Sequence, residues 1–306
     1  MSYADKVFKK NLKEILENGT STEGQKVRPH WEDGAPAYTI KQFGVAETYD
    51  LRKEFPAITV RKTALKSCMD EILWIFQKKS NNINDLNSHI WDEWAQEDGS
   101  IGKAYGFQIG QLYMHHKVSE ITEEILNELK EYPSAKINGK NEVFLDQIDG
   151  VIWDLKHAPF SRRIMTSIWN FEDLKDMNLQ PCCWSCTFNV TDEGEDKLVL
   201  NMQLTQRSND MIAANNWNTA QYAILLMMIA QVCDMIPGKL LHVITDQHVY
   251  DRHIDIAKEL LEREEYPAPK VSLNPEIKNF YDFKTSDLIV EDYITGPQIK
   301  NIPIAI

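Results

Sequence analysis

Cysteine is scarce in this chain: there are five in 306 residues, at positions 68, 182, 183, 186 and 233. An odd count without paired spacing excludes a disulfide framework, and the lack of a second C-x-x-C pair excludes a zinc quartet. No metal is expected, and a reducing compartment is the natural setting. Cationic side chains are also in the minority. Thirty-three Lys and Arg against 46 Asp and Glu leave a formal net charge of −13. That field repels a polyanion unless positive charge is gathered locally, so neither nucleic acid nor a membrane surface is an expected partner. Long apolar runs are missing too. The longest, Tyr222 to Ala230, falls well short of the roughly 18 residues of a spanning helix. Met1 to Lys10 carries charge where a secretory leader needs an apolar stretch. The expectation is a soluble, cytoplasmic protein. No Pro-Gly-Ser linker, internal repeat or composition break divides the chain, so residues 1–306 are taken as one domain. With 43% apolar side chains it has material for a sizeable core.

Periodicity supplies the elements. Phe8, Leu12, Ile15 and Leu16 recur at helical spacing over residues 3–18, with Gly19 placed for a left-handed C-terminal cap. Thr63 to Lys78 carries a wide apolar stripe and predicts a helix buried on more than one side. Ser119 to Tyr132 predicts a polar surface helix, and residues 133–148, with Gly139 between lysine-bearing turns, an exposed excursion. Arg163 to Trp169, Trp184 to Val190, Lys197 to Leu204 and Leu240 to Thr245 predict strands, the second and third joined as a hairpin through an acidic turn. Asn218 to Met235 predicts a central buried helix and Val249 to Arg263 another. The fold class is α+β, with helices on a mainly antiparallel or mixed sheet.

Chemistry concentrates in a few places. A lone cysteine is usually a small buried apolar residue, but Cys182, in L-Q-P-C-C just before a strand, has company. Arg207 and Ser208, in Q-R-S-N-D on the next strand, put a cation near the thiol, which favours the thiolate. Arg28, Arg162, Arg163 and Arg207, if convergent, make a dianion site, because guanidinium groups bind phosphate oxygens bidentately; two adjacent arginines on a strand also allow one to be a solvated surface charge. Glu71 interrupts the apolar helix D-E-I-L-W-I-F, where burial raises its pKa toward the range useful for proton transfer; the alternative is a helix-edge surface residue. His248 and Tyr250, in D-Q-H-V-Y, share one face of a strand and suit a sugar hydroxyl or ordinary core bonding. Trp91 and Trp94 fit core packing or a stacking platform. Asn218 fits a helix N-cap, or an amide that donates to one ring atom and accepts from its neighbour, as the edge of uracil requires.

Taken together, L-Q-P-C, Q-R-S-N-D, the Asn218 helix start, H-V-Y, S-R-R, H-I-W-D-E-W with a following A-Y-G, and the terminal I-P-I-A-I resemble, in order and spacing, the thymidylate synthase family over nearly the whole chain. The resemblance implies a symmetric homodimer with sheets packed back to back, and reductive methylation of dUMP to dTMP by 5,10-methylenetetrahydrofolate. Cys182 is then the nucleophile that adds to pyrimidine C6, and Asn218 reads the uracil edge. Arg28, Arg207 and Ser208 hold the 5′-phosphate, with Arg162 and Arg163 reaching across from the partner subunit. His248 and Tyr250 take the 3′-hydroxyl. Glu71 organises water near O4 and the folate, Tyr105 is associated with removal of the C5 proton, and Asp210 bonds the pterin. Trp91 and the terminal Ala305 and Ile306 pack around the folate.

The chain departs from the family pattern at Cys183, where histidine is usual, at Asn209, where cysteine is common, and at Ala214-Asn215-Asn216-Trp217 in place of Gly-Leu-Pro-Phe. These place it on a divergent branch, phage-like or of the second type found in some bacilli. Two rivals remain at this level. A pyrimidine hydroxymethylase shares the nucleophile and folate but lets water capture the exocyclic methylene; Asn218 argues against a cytosine substrate there. A catalytically idle homologue would bind nucleotide or mRNA, against which stands the net charge.

Overall fold

The computed structural model describes all 306 residues. Helix α1 (Tyr3–Asn18) is capped by the Ser2 hydroxyl, which accepts from the Ala4 N–H, and buries Val7, Phe8, Leu12 and Ile15. Gly19 ends it in an extended conformation with φ −68°, not the expected left-handed one. Glycine is required there by close approach: a Cβ would lie 2.3 Å from the Ile15 carbonyl oxygen and 2.7 Å from Ile40 Cγ2. Next come β1 (Thr20–Ser21), β2 (Thr39–Asp50) and α2 (Leu65–Ile72), which runs on as a π-helical turn over Leu73–Gln77.

The chain continues through α3 (Gly106–Ile109), β3 (Tyr113–Lys117), α4 (Glu123–Leu129), β4 (Lys136–Ile137), β5 (Glu142–Leu145), α5 (Gln147–His157) and β6 (Met165–Ser167). It finishes with β7 (Cys183–Thr191), β8 (Val199–Asp210), α6 (Asn215–Val232), β9 (Ile236–Tyr250), α7 (Ile254–Glu262), β10 (Lys270–Leu273) and β11 (Leu288–Glu291).

The main sheet has the order β1-β2-β9-β8-β7-β6. Strands β8 and β9 are parallel and the other pairs antiparallel, so the α+β class and mixed sheet hold. A parallel pair needs a long crossover, and α6 supplies it. Nearly every side chain of that helix is buried, which is why its sequence is apolar all round. The expected β7–β8 hairpin forms, with Asn189 opposite Asn201 and Val190 opposite Leu200. One contiguous core links α1, α2, α5 and α6 to the sheet. Along β7 and β8 the paired Thr187, Gln203, Asn189 and Asn201 lie on a more open face.

Several expectations shift. Residues 133–148 are not an exposed excursion: β4 and β5 join β3 in a small sheet, with Val143 and Leu145 buried. The 12-residue β2 goes unpredicted because its residues are mostly polar and half exposed. Strand β9 continues to Tyr250, so α7 starts at Ile254 and not at Val249. Arg162 and Arg163 precede the short strand β6 instead of lying on it. No helix is long and apolar enough to cross a membrane.

Candidate active site

Three strand ends lie side by side. The carboxyl ends of the parallel strands β8 and β9 bring Ser208 beside Asp246 and Asp210 beside His248, and β7 starts next to them with Cys183 opposite Gln206. Cys182 stands at that junction, where its carbonyl accepts the Arg207 N–H at 2.9 Å. It is part-exposed, whereas Cys183 and Cys186 are buried. The Arg207 guanidinium spans the same turn: Nε donates to the Pro181 carbonyl at 3.0 Å and Nη2 to that of Gln180 at 2.8 Å. It also faces the Trp169 ring at 5.6 Å.

Burial pushes the Cys182 thiol up, and the nearby Arg207 and Arg28 pull against it without overcoming it. The cations act in the expected direction, lowering the thiol pKa, but desolvation of a thiolate outweighs them and the net shift is upward. Arg28 is exposed.

Glu71 is buried on α2, with one indole on each carboxylate oxygen. Trp91 Nε1 donates to Oε1 at 3.1 Å and Trp217 Nε1 to Oε2 at 2.7 Å. Burial raises its pKa, the direction expected from sequence, while Trp217, the Gln221 amide and Trp91 oppose the rise. Trp91 packs edge-on against Tyr105 with centroids 4.8 Å apart. Tyr105 occupies a left-handed backbone region, φ 47°, a costly position for an aromatic residue that persists only where its surroundings over-determine it. Its hydroxyl accepts the Cys182 N–H at 3.4 Å. Cys182, Tyr105, Trp91 and Glu71 thus form a continuous path.

Asn218 lies inside the first turn of α6, its N–H bonded to the Ala214 carbonyl at 3.0 Å, so it is not the expected N-cap. Its Oδ1 accepts from Gln206 Nε2 at 3.0 Å. Gln206 Oε1 in turn lies 2.7 Å from Nε2 of the buried His242, which burial pulls down to about 3. A neutral imidazole donating from Nε2 fixes the amide orientation along this chain.

Burial would raise the Asp210 carboxyl, but His253, His248 and the Ile212 N–H outweigh it and hold it below the usual range. His248 Nδ1 lies 2.8 Å from Asp246 Oδ1, and Lys41 donates to Asp246 Oδ2 at 2.9 Å. The His248 and Tyr250 rings meet edge-on at 5.1 Å, on one side as their spacing requires. The terminal segment is docked. Ile306 and His30 exchange backbone hydrogen bonds at 2.8 and 3.0 Å, and His253 Nε2 lies 2.8 Å from the Pro303 carbonyl oxygen. Ala305 is half-buried and Ile306 exposed.

Cys182, Arg207, Ser208, Asp210, His248, Tyr250, Glu71, Trp91, Tyr105 and Asn218 are drawn together by these contacts, and Arg28, which makes no hydrogen bond or ion pair, lies within electrostatic reach of Cys182 and Tyr250. Arg162 and Arg163 are not: both are exposed, and neither guanidinium makes a hydrogen bond or ion pair within the chain. Sequence reasoning missed His253, although it stands three residues after Tyr250. It also left Trp217 unpaired with Glu71, having read that residue only as a departure from the family pattern.

A thiol that reaches solvent beside two guanidinium groups can attack a small anionic substrate, and the buried carboxylate and tyrosine beyond it can handle the protons that follow. Such an arrangement suits an enzyme of the group-transfer class. The profile of the family described as thymidylate synthase matches residues 6–305. A thymidylate synthase of Bacillus licheniformis is 38% identical over 303 residues, 98% of each chain, and thymidylate synthase 1 of Bacillus subtilis is 39% identical over 303 residues, again 98% of each. The thermostable thymidylate synthase A from Bacillus subtilis matches in structure with TM-score 0.84 and 37% identity, each chain covered in full. The chain belongs to the thymidylate synthase family and is a methyltransferase.

Proposed function

We propose that the protein converts dUMP to dTMP with 5,10-methylenetetrahydrofolate as methylene and hydride donor, releasing dihydrofolate. The Cys182 thiolate adds to C6, and the electron pair moves through C5 to O4. C5 then attacks the methylene carbon, whose bond to N10 opens with a proton taken up by that nitrogen. Loss of the C5 proton and elimination of tetrahydrofolate leave an exocyclic methylene, which takes a hydride from tetrahydrofolate as Cys182 departs. Both electrons of the reduction come from the folate, so no further reductant is needed.

The observation that carries this reading is the setting of Cys182: it alone of the two adjacent cysteines reaches solvent, on a turn held by Arg207 and within the electrostatic reach of Arg28. Arg28, Arg207 and Ser208 would take the 5′-phosphate, Asn218 the uracil edge, and His248 with Tyr250 the 3′-hydroxyl. Glu71 and Tyr105 would handle protons. Asp210, Trp91, Ala305 and Ile306 would flank the folate. The exposed, unpaired Arg162 and Arg163 and the open polar face of β7 and β8 support a homodimer in which the two arginines cross to the partner's phosphate. The cytoplasm, where folate and nucleotide pools meet, is the proposed location.

Incubation with 5-fluoro-dUMP and methylenetetrahydrofolate should trap a ternary adduct, because fluorine cannot leave C5 as a cation. Mass spectrometry of the digest should find it on the peptide bearing Cys182. An adduct elsewhere, or none, removes the covalent mechanism. With dUMP, dihydrofolate should appear one for one with dTMP; tetrahydrofolate with a hydroxymethyl product would mean that water had captured the methylene.

A further inference from the structure

Glu71 is a buried carboxylate with two indole donors, one from the Trp91 loop and one from α6. Either indole alone would leave one carboxylate oxygen free to rotate toward other partners. Two donors on opposite oxygens fix both the position and the plane of the group. The shorter bond, at 2.7 Å, comes from Trp217, and a phenylalanine ring at that place has no N–H to offer. We propose that Trp217 is a positioning residue for the reaction: its indole N–H anchors Glu71 Oε2, so that the carboxylate is presented to the pyrimidine and folate in one orientation.

The inference rests on the proton-handling role read for Glu71 above and adds the device that fixes it. The start of α6 is built to place this indole. Asn215 Nδ2 donates to Asn209 Oδ1 at 2.9 Å, joining two of the departures noted in the sequence. Asn216 Oδ1 accepts from the Ile58 N–H at 3.1 Å and from Thr63 Oγ1 at 2.7 Å, and its Nδ2 donates to the Pro56 carbonyl at 3.1 Å. Trp217 is therefore carried on a helix start tied to both β8 and the segment before α2. The other titratable groups near Glu71 are Cys68 and Asp70 on α2, Tyr105 beside α3, Cys183 on β7 and Tyr222 on α6. Burial keeps both thiols and both phenols neutral. Asp70 is turned away, its two oxygens bonded to the Asn87 N–H and Nδ2 at 2.9 and 2.8 Å. Of the side chains that favour the ionised form, Trp217 acts most strongly, followed by the Gln221 amide on the same helix and then Trp91.

Donors to a carboxylate stabilise its charged form, so loss of one moves the Glu71 titration upward. In Trp217→Phe, kcat should fall about tenfold while KM for dUMP stays within about twofold, and the limb of the kcat profile that Glu71→Gln abolishes should move up by about one pH unit. A second variant carries β-(3-benzothienyl)alanine at position 217, which keeps the bicyclic shape and replaces only N–H by sulfur; it should behave like Trp217→Phe even if the smaller ring loosens the helix. An unchanged limb in both variants overturns the proposal. The pairing is read separately from turnover in ¹⁵N-indole spectra of the substrate-free protein. The Trp217 resonance, assigned by its loss in Trp217→Phe, should shift with pH and stop shifting in Glu71→Gln. A pH-insensitive resonance overturns the pairing, whereas a titrating resonance with full turnover in Glu71→Gln overturns the role read for Glu71.

Discussion

Cys182 is held between burial, which keeps its proton on, and two guanidinium groups, which draw it off. Burial prevails, so the resting thiol is neutral and becomes a nucleophile only as a small thiolate fraction. That fraction grows about tenfold per pH unit below the pKa, so alkylation by iodoacetamide should still be climbing between pH 8 and 9. Arg28→Ala removes one of the opposing cations, and alkylation at a fixed pH should slow several-fold; an equal or faster rate would mean that Arg28 does not act on the thiol. Cys182→Ala should abolish turnover, because C5 gains carbanion character only after C6 is attacked. Its affinity for dUMP, measured by equilibrium dialysis, should stay close to that of the wild type, since the phosphate, sugar and uracil contacts proposed above come from other side chains. Residual methylation would contradict the assignment.

At the scale of the element, the first turn of α6 concentrates most of what distinguishes this chain. Its N-cap, Ala214, has no side-chain acceptor, and the turn is held instead by the amides that follow. Asn216 is the heaviest contributor. Asn216→Ala leaves the Ile58 N–H, the Thr63 hydroxyl and the Pro56 carbonyl unpaired in a buried place, and should lower the unfolding free energy by about 3 kcal/mol in chemical denaturation. A change below about 1 kcal/mol would mean that water or neighbours take over those groups. The helix itself was legible because its apolar run has no other home than the core. Its start was not: three polar residues at Asn215, Asn216 and Asn218 look like a loop with a cap until their partners on distant segments are known. The same cause hid β2, whose Thr39, Lys41, Gln42 and Glu47 give no apolar alternation although the strand pairs with β9 along its whole length. The sequence does display Cys182, Arg207 and Asp210 as a cluster, because β7 and β8 form a hairpin and local spacing sets their register. The indole pair on Glu71 joins residues 146 positions apart, a distance that periodicity does not span.

For the whole molecule, the proposed phosphate site needs four arginines that one chain does not bring together. Arg28 and Arg207 both act electrostatically on Cys182 within one chain, while Arg162 and Arg163 sit before the edge strand β6 with free guanidinium groups. A two-fold interface on the open sheet face would turn that separation into proximity, each protomer supplying the pair its partner lacks. Mixed dimers test this. Cys182→Ala and the double variant Arg162→Ala with Arg163→Ala should each be nearly inactive alone. After unfolding and refolding together in equal amounts, half of the dimers carry one subunit of each kind. In those, the site that keeps Cys182 receives intact arginines from its neighbour, and the other site lacks both. Activity should therefore recover to about one quarter of the wild-type value per dimer. No recovery, in a mixture shown by native mass spectrometry to contain heterodimers, would place both arginines at the site of their own chain or outside the reaction.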